Sequence, residues 1–219
     1  MGEAVFDDQV RFLDQPLRAA AVLCRTEHGN LHAGLLYHNG TADAVVHLGW
    51  QDTLDRSWPW ARLWATPDVE PEQLMSVAGF CRRIWRSYER TRRFPYGIRF
   101  AGSTFDERGR LRLGPGARGL TCATFVLAVF RAVGVDLVDE SDWPVREEDD
   151  RAFLATLARF ATEEHFALLQ GEVDAGVVRV RPDEVLGACA CALPAEFAGA
   201  RAAADRVSKQ LDLVGRVGL

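Results

Sequence analysis

The sequence predicts an α+β protein: a small antiparallel sheet packed on a central helix, followed by a helical extension. Three stretches carry that expectation. Residues 19–49 hold three short apolar runs separated by two turns, the pattern of an antiparallel meander. Residues 121–134 hold a single run that is apolar almost all round, bounded by Thr121 and Gly134, as in a buried central helix. Beyond an acidic segment at 139–150, the chain reads as mostly helix to residue 211.

In the meander, the first run (19–26) ends at Glu27-His28-Gly29-Asn30, the second spans 31–37, and the third spans 44–50. Asn39-Gly40 between the last two is the strongest short hairpin signal, and a two-residue loop there sets His32 directly opposite His47. In that register His32, Gly34 and Leu36 share one face with Val45 and His47. Leu31, Ala33, Leu35 and Tyr37 share the other with Val46 and Leu48. Cross-strand Cβ atoms stand about 5 Å apart, so the two imidazoles are within reach. His28 and His38 sit in or beside turns and read as solvated, and His165 lies in a polar helical stretch with no assigned role.

Residues 1–17 are mixed and read as an arm or short helix. Trp58-Pro59-Trp60, Trp64 and Pro67 mark an aromatic-rich connection, and Pro71 opens a helix running to about Arg90. Arg82, Arg83, Arg86, Arg90, Arg92, Arg93 and Arg99 form a basic run, expected as a solvated face, with docking of an acidic partner on Arg82 to Arg93 as the alternative. Residues 94–119 make a glycine-rich approach to the central helix, with a small hairpin about Glu107-Arg108-Gly109. The acidic 139–150 segment is expected to be exposed, dividing a core (1–140) from a mainly helical extension packed on it (141–219). That extension reads as helices at 149–161, 163–170, 183–191 and 194–211 with a short strand at 177–180.

With 219 residues, 48% of them apolar, the chain can bury a real core. Lysine and arginine number 26 against 31 acidic residues, a net charge of −5, which argues against general nucleic-acid binding. The first residues show no leader pattern and no run is long enough to span a bilayer, so a soluble, cytoplasmic protein is expected, leaderless secretion staying open. Five cysteines without a C-x-x-C indicate neither a disulfide framework nor a cysteine zinc cluster. Cys24 reads as a strand residue, Cys81 as a helix residue, and Cys189 and Cys191 as packing residues near a C-terminal helix.

Cys122 stands apart because it opens a helix. Unpaired N–H groups and the dipole there favour thiolate and can later hold an oxyanion. A cysteine in an apolar helix is, taken alone, most often a small core residue. A thiol facing one imidazole, with a second imidazole to orient the first, is the minimum for cysteine nucleophilic catalysis, and Cys122, His32 and His47 supply it. The same three side chains have the composition of an open tetrahedral zinc site, although no nearby motif argues for one.

The segments His32-Ala33-Gly34-Leu35-Leu36-Tyr37, Val45-Val46-His47-Leu48 and Thr121-Cys122-Ala123-Thr124-Phe125-Val126, in that order, resemble the circularly permuted branch of papain-like proteins. That branch includes NlpC-type peptidases and the lecithin retinol acyltransferase family. The resemblance implies a permuted papain-like fold with Cys122 as nucleophile, His32 as its base and acid, and His47 as the third residue. Pro95-Tyr96-Gly97 is similar to the Tyr-Gly segment upstream of the cysteine in NlpC-type enzymes, which implies that Tyr96, beside Thr121 and the helix start, helps an oxyanion hole. Ala123-Thr124 replaces both the Ser-Gly common in unpermuted members and the Glu-His of the acyltransferases, so neither subfamily is singled out.

The implied activity is a thiol hydrolase (peptidase, amidase or isopeptidase) working through a thioester, with no cofactor, and with a peptide, protein or amide-containing substrate. An acyl or lipid transferase, or a non-catalytic binding module on the same fold, are the alternatives. Neither nucleic acid nor a membrane anchor is implied.

Overall fold

A computed structural model describes residues 19–49, 53–57 and 63–214. The readings of 1–17 and of Trp58-Pro59-Trp60 lie outside these residues. Three strands form where alternation places them: β1 (Ala19–Arg25), β2 (Leu31–His38) and β3 (Asp43–Leu48). Two short strands absent from the sequence reading extend this meander. β4 (Leu54–Ser57) pairs with β3 and β5 (Leu63–Ala65) with β1, giving an antiparallel sheet in the order β4-β3-β2-β1-β5.

The β2–β3 turn corrects the expected register. Asn39 Oδ1 accepts the N–H groups of Thr41 at 3.0 Å and Ala42 at 3.2 Å, while Asn39 N–H donates to the Ala42 carbonyl at 2.9 Å. This side-chain turn makes the loop four residues long, with Gly40 at φ +108°. Leu35 therefore pairs with Val46 and His38 with Asp43, a slip of two positions from the two-residue hairpin. A slip of two preserves the faces of a strand, so His32 and His47 stay on one side as diagonal rather than direct neighbours.

The two faces of the sheet have different neighbours. Ala33, Leu35 and Tyr37 with Val46 and Leu48 enter the main core beneath α1 (Pro71–Tyr88), α2 (Cys122–Arg131) and α5 (Pro182–Ala188). Val22, Leu36 and Val45 form a smaller cluster on the other face against Trp64. Helix α1 starts at Pro71, with Glu70 N–H donating to Gln73 Oε1 at 3.2 Å, and buries Leu74, Val77, Ala78, Cys81, Ile84 and Trp85.

Helix α2 is buried along its length except for Cys122 and Arg131. Thr121 Oγ1 accepts Thr124 N–H at 3.2 Å, and Thr124 Oγ1 accepts Thr121 N–H at 2.8 Å, a reciprocal cap that fixes the first turn. Phe125 lies edge-on to Phe94 and to Phe105, each with centroids 5.9 Å away, and Gly134 ends the segment at φ +80°. Phe105 belongs to the anticipated small hairpin, β6 (Thr104–Phe105) and β7 (Leu111–Arg112), turned at Gly109 with φ +73°.

After a 3-10 turn at Glu140–Asp142 come α3 (Glu147–Leu157) and α4 (Glu163–Asp174), which share a second cluster with Ile98 and Val177. Helix α6 (Phe197–Val214) packs on α5, and both contribute to the main core. The acidic segment is not uniformly exposed: Trp143 and Asp150 are buried. Residues 177–180 form no strand and join no sheet among the described residues. The Arg179 carbonyl accepts Arg146 Nη2 at 2.6 Å instead of a neighbouring strand. No described helix is long and apolar enough to cross a membrane.

Candidate active site

A cavity of about 540 Å³ opens where the start of β2 and the end of β3 meet the N-terminus of α2. His32, His47, Tyr96, Thr121 and Cys122 all line it, so the five residues singled out in the sequence converge on one space. Phe153, Thr156 and Phe160 form another part of its wall, together with Arg179 and Arg181.

His32 Nε2 and His47 Nδ1 are 2.9 Å apart, with the rings edge-to-face at 89°. The pairing depends on a glycine. A Cβ on Gly34 would lie 3.0 Å from His47 Cβ and 2.9 Å from Val45 Cγ1, closer than side chains tolerate. Gly34→Ala is therefore expected to push His47 outward and destabilise the protein by about 1–3 kcal/mol in urea unfolding. Unchanged stability would show that the strand yields freely.

Behind His47, Ser57 Oγ stands 3.4 Å from Nε2, and Asp55 is its cross-strand neighbour on β4. Burial, reinforced by the His47 charge, pushes His32 down to about 3. Burial pushes His47 down to about 4, with Asp55 opposing. Both rings are thus neutral at pH 7.

Because the folded pKa of His47 lies below the unfolded value of 6.5, the unfolded chain takes up a proton first as pH falls. Stability is then lost across the window from 6.5 down to about 4. By its low end the loss is on the order of 3 kcal/mol. His47→Gln is expected to flatten this slope in urea unfolding at about pH 7 and about pH 5. An equal slope in both proteins would assign the acid sensitivity to other groups.

Cys122 is partly exposed, in the first turn of α2. Its sulfur takes the backbone N–H of Ala33, next to His32, and is also favoured as thiolate by the N–H groups of Ala123 and Cys122 and by Arg179. Desolvation outweighs these and pushes the thiol up from its ordinary value. The backbone groups at the helix end therefore act in the expected direction while the net shift is opposite to it, because the surrounding walls remove water from the sulfur.

Tyr96 reaches this place through a backbone crossing. A Cβ on Gly97 would lie 2.7 Å from Gly119 N, and one on Gly119 would lie 2.3 Å from the Pro95 carbonyl oxygen. Leu120 N–H donates to that oxygen at 3.0 Å. Two glycines thus let the Tyr96 segment lie against the chain that enters Thr121 and Cys122, and the Tyr96 ring packs against His165 with centroids 6.1 Å apart.

Sequence reasoning missed Ser57, Asp55 and Arg179. Among the described residues, no three His, Cys, Asp or Glu side chains converge on a point suited to a metal ion. The arginine run lies along α1 and the turn after it, mostly exposed, with Arg92 3.4 Å from Asp55 and Arg83 donating to the Glu107 carbonyl. No family model matches this chain, and neither a curated protein nor a solved structure matches it.

Proposed function

We propose that the chain is a cysteine-dependent hydrolase of peptide, isopeptide or amide bonds, built on a permuted papain-like fold and acting through a thioester at Cys122. The observation that carries this reading is the shared cavity: a helix-terminal thiol and a hydrogen-bonded histidine pair line one space.

The proton order follows from the hydrogen-bond chain. With His47 as the Nε2–H tautomer directed at Ser57 Oγ, its Nδ1 accepts from His32 Nε2–H. His32 Nδ1 is then the basic nitrogen, which is the form a base for Cys122 requires. Cys122 Sγ attacks the carbonyl carbon as its proton passes to His32 Nδ1. The oxyanion is received by N–H groups at the start of α2, with Tyr96 alongside. The C–N bond breaks, the amine leaves with the proton from His32, and the acyl group remains as a thioester. Water, deprotonated by His32, attacks the thioester, releasing the carboxylic acid and restoring the thiol. Acceptance by another nucleophile would make the same site a transferase, and the mainly apolar lining of the cavity favours that second reading where the acyl group is a lipid chain; the polar groups set into it, His28, Asn30, Asp55, Arg179 and Arg181, suit a polar substrate of the hydrolase.

The test is iodoacetamide labelling of the folded protein, read residue by residue by mass spectrometry. Cys122 is expected to react well ahead of Cys24, Cys81, Cys189 and Cys191. If Cys122 is labelled only after unfolding, it is a packing residue and the binding-module reading takes over.

A further inference from the structure

Arg179 lines the same cavity and has no part in the sequence reading of the site. It is 7% exposed, and its Nε donates to Asp150 Oδ1 at 2.6 Å, with Asp150 only 1% exposed. Nη2 reaches the Asp149 carbonyl at 3.4 Å, and the guanidinium lies 4.5 Å over the Phe153 ring. Helix α3 thus grips one edge of the guanidinium and one of its faces. Nη1 meets no protein acceptor among the described residues, and two of the five N–H donors are used. Holding a buried guanidinium this firmly beside a cavity leaves a rigid, preoriented donor edge for a ligand.

We propose that Arg179 is the specificity-determining residue of this cavity, and that the substrate acylating Cys122 carries a carboxylate that seats on the open edge of the guanidinium. The inference rests on the thiol-hydrolase reading above. A single negative charge fits best. Asp150 already balances part of the Arg179 charge, and the neighbouring Arg181 is engaged by Asp183 at 3.2 Å and Asp149 at 3.6 Å. A dianionic phosphate would need a second available cation.

Iodoacetate and iodoacetamide form a matched pair of probes, nearly isosteric and differing in charge. The measurement is the ratio of their alkylation rates at Cys122, with the ratio at half-buried Cys191 as reference. In the wild type the Cys122 ratio should exceed the Cys191 ratio by roughly tenfold or more, the effect of a charge-assisted hydrogen bond. Arg179→Gln should bring the two ratios together while iodoacetamide still labels Cys122, and Arg179→Lys should keep part of the preference. Equal ratios in wild type and Arg179→Gln overturn the proposal and leave the nucleophile intact. Failure of both reagents to label Cys122 in the folded wild type overturns the hydrolase reading and this one with it.

If Arg179→Gln does not fold, the wild type decides alone: butyrate should slow iodoacetamide labelling of Cys122 and butyramide should not, and equal effects overturn the carboxylate site. Peptide pairs then locate the carboxylate, a free C-terminus against its amide and Glu against Gln. Discrimination of the wild type within either pair supports the proposal, and discrimination in neither overturns it.

Discussion

Replacing His32 with alanine is expected to slow iodoacetamide labelling of Cys122 at neutral pH by roughly a hundredfold or more, the scale of a lost general base. The charge state of the resting site sets this dependence. Burial pushes the Cys122 thiol up and His32 down to about 3, so over the intervening pH range the site holds a neutral thiol beside a neutral imidazole. Neither group changes charge there, and a reaction assisted by His32 runs at a rate nearly independent of pH. Without His32 only the small thiolate fraction reacts, and the rate climbs about tenfold per pH unit. A wild-type profile with that same climb would mean that His32 does not act on the thiol. Ser57→Ala and His47→Gln should fall between the two extremes, because they disturb the tautomer of His32 and leave its nitrogen present.

The legible part of this site was the part written in short-range periodicity. Alternation over 31–48 assigned His32 and His47 to one face, and that survived a wrong loop length because a two-residue slip does not exchange faces. The Thr121 cap and the Gly134 stop bounded α2 without any tertiary information. What the sequence could not show is which distant residues complete the site. Ser57 and Asp55 sit in a four-residue strand with little apolar alternation, recruited by its pairing with β3. Arg179 is bound by a carboxylate 29 positions earlier, inside a segment whose composition reads as solvent-facing. The thiol pKa was missed for the same reason: helix position is local, whereas desolvation is set by whatever else lines the cavity.

The wall that carries Arg179 depends on a buried charge, and here the second large effect is expected. Glu184 is 0% exposed and accepts both Nη1 and Nη2 of Arg146, the latter at 3.0 Å, as well as Arg181 N–H at 2.8 Å and Trp143 Nε1 at 3.4 Å. These donors hold its carboxyl below the usual range although burial acts the other way. Arg146 also donates Nη2 to the Arg179 carbonyl at 2.6 Å, so one guanidinium ties the α5 carboxylate to the cavity wall. Arg146→Leu leaves a buried carboxylate without its main partner, and is expected to cost about 3–5 kcal/mol, roughly 10 °C in thermal midpoint for a chain of this size. The double variant Arg146→Leu, Glu184→Leu removes the stranded charge and should recover much of that loss, since the cost comes from desolvation rather than from the missing ion pair itself. If the double variant is less stable than Arg146→Leu alone, the hydrogen bonds of Glu184 to Arg181 and Trp143 outweigh its burial. The loss should be largest where Glu184 is ionised, above its folded pKa, and should shrink as pH falls and the carboxyl of the Arg146→Leu variant takes up a proton.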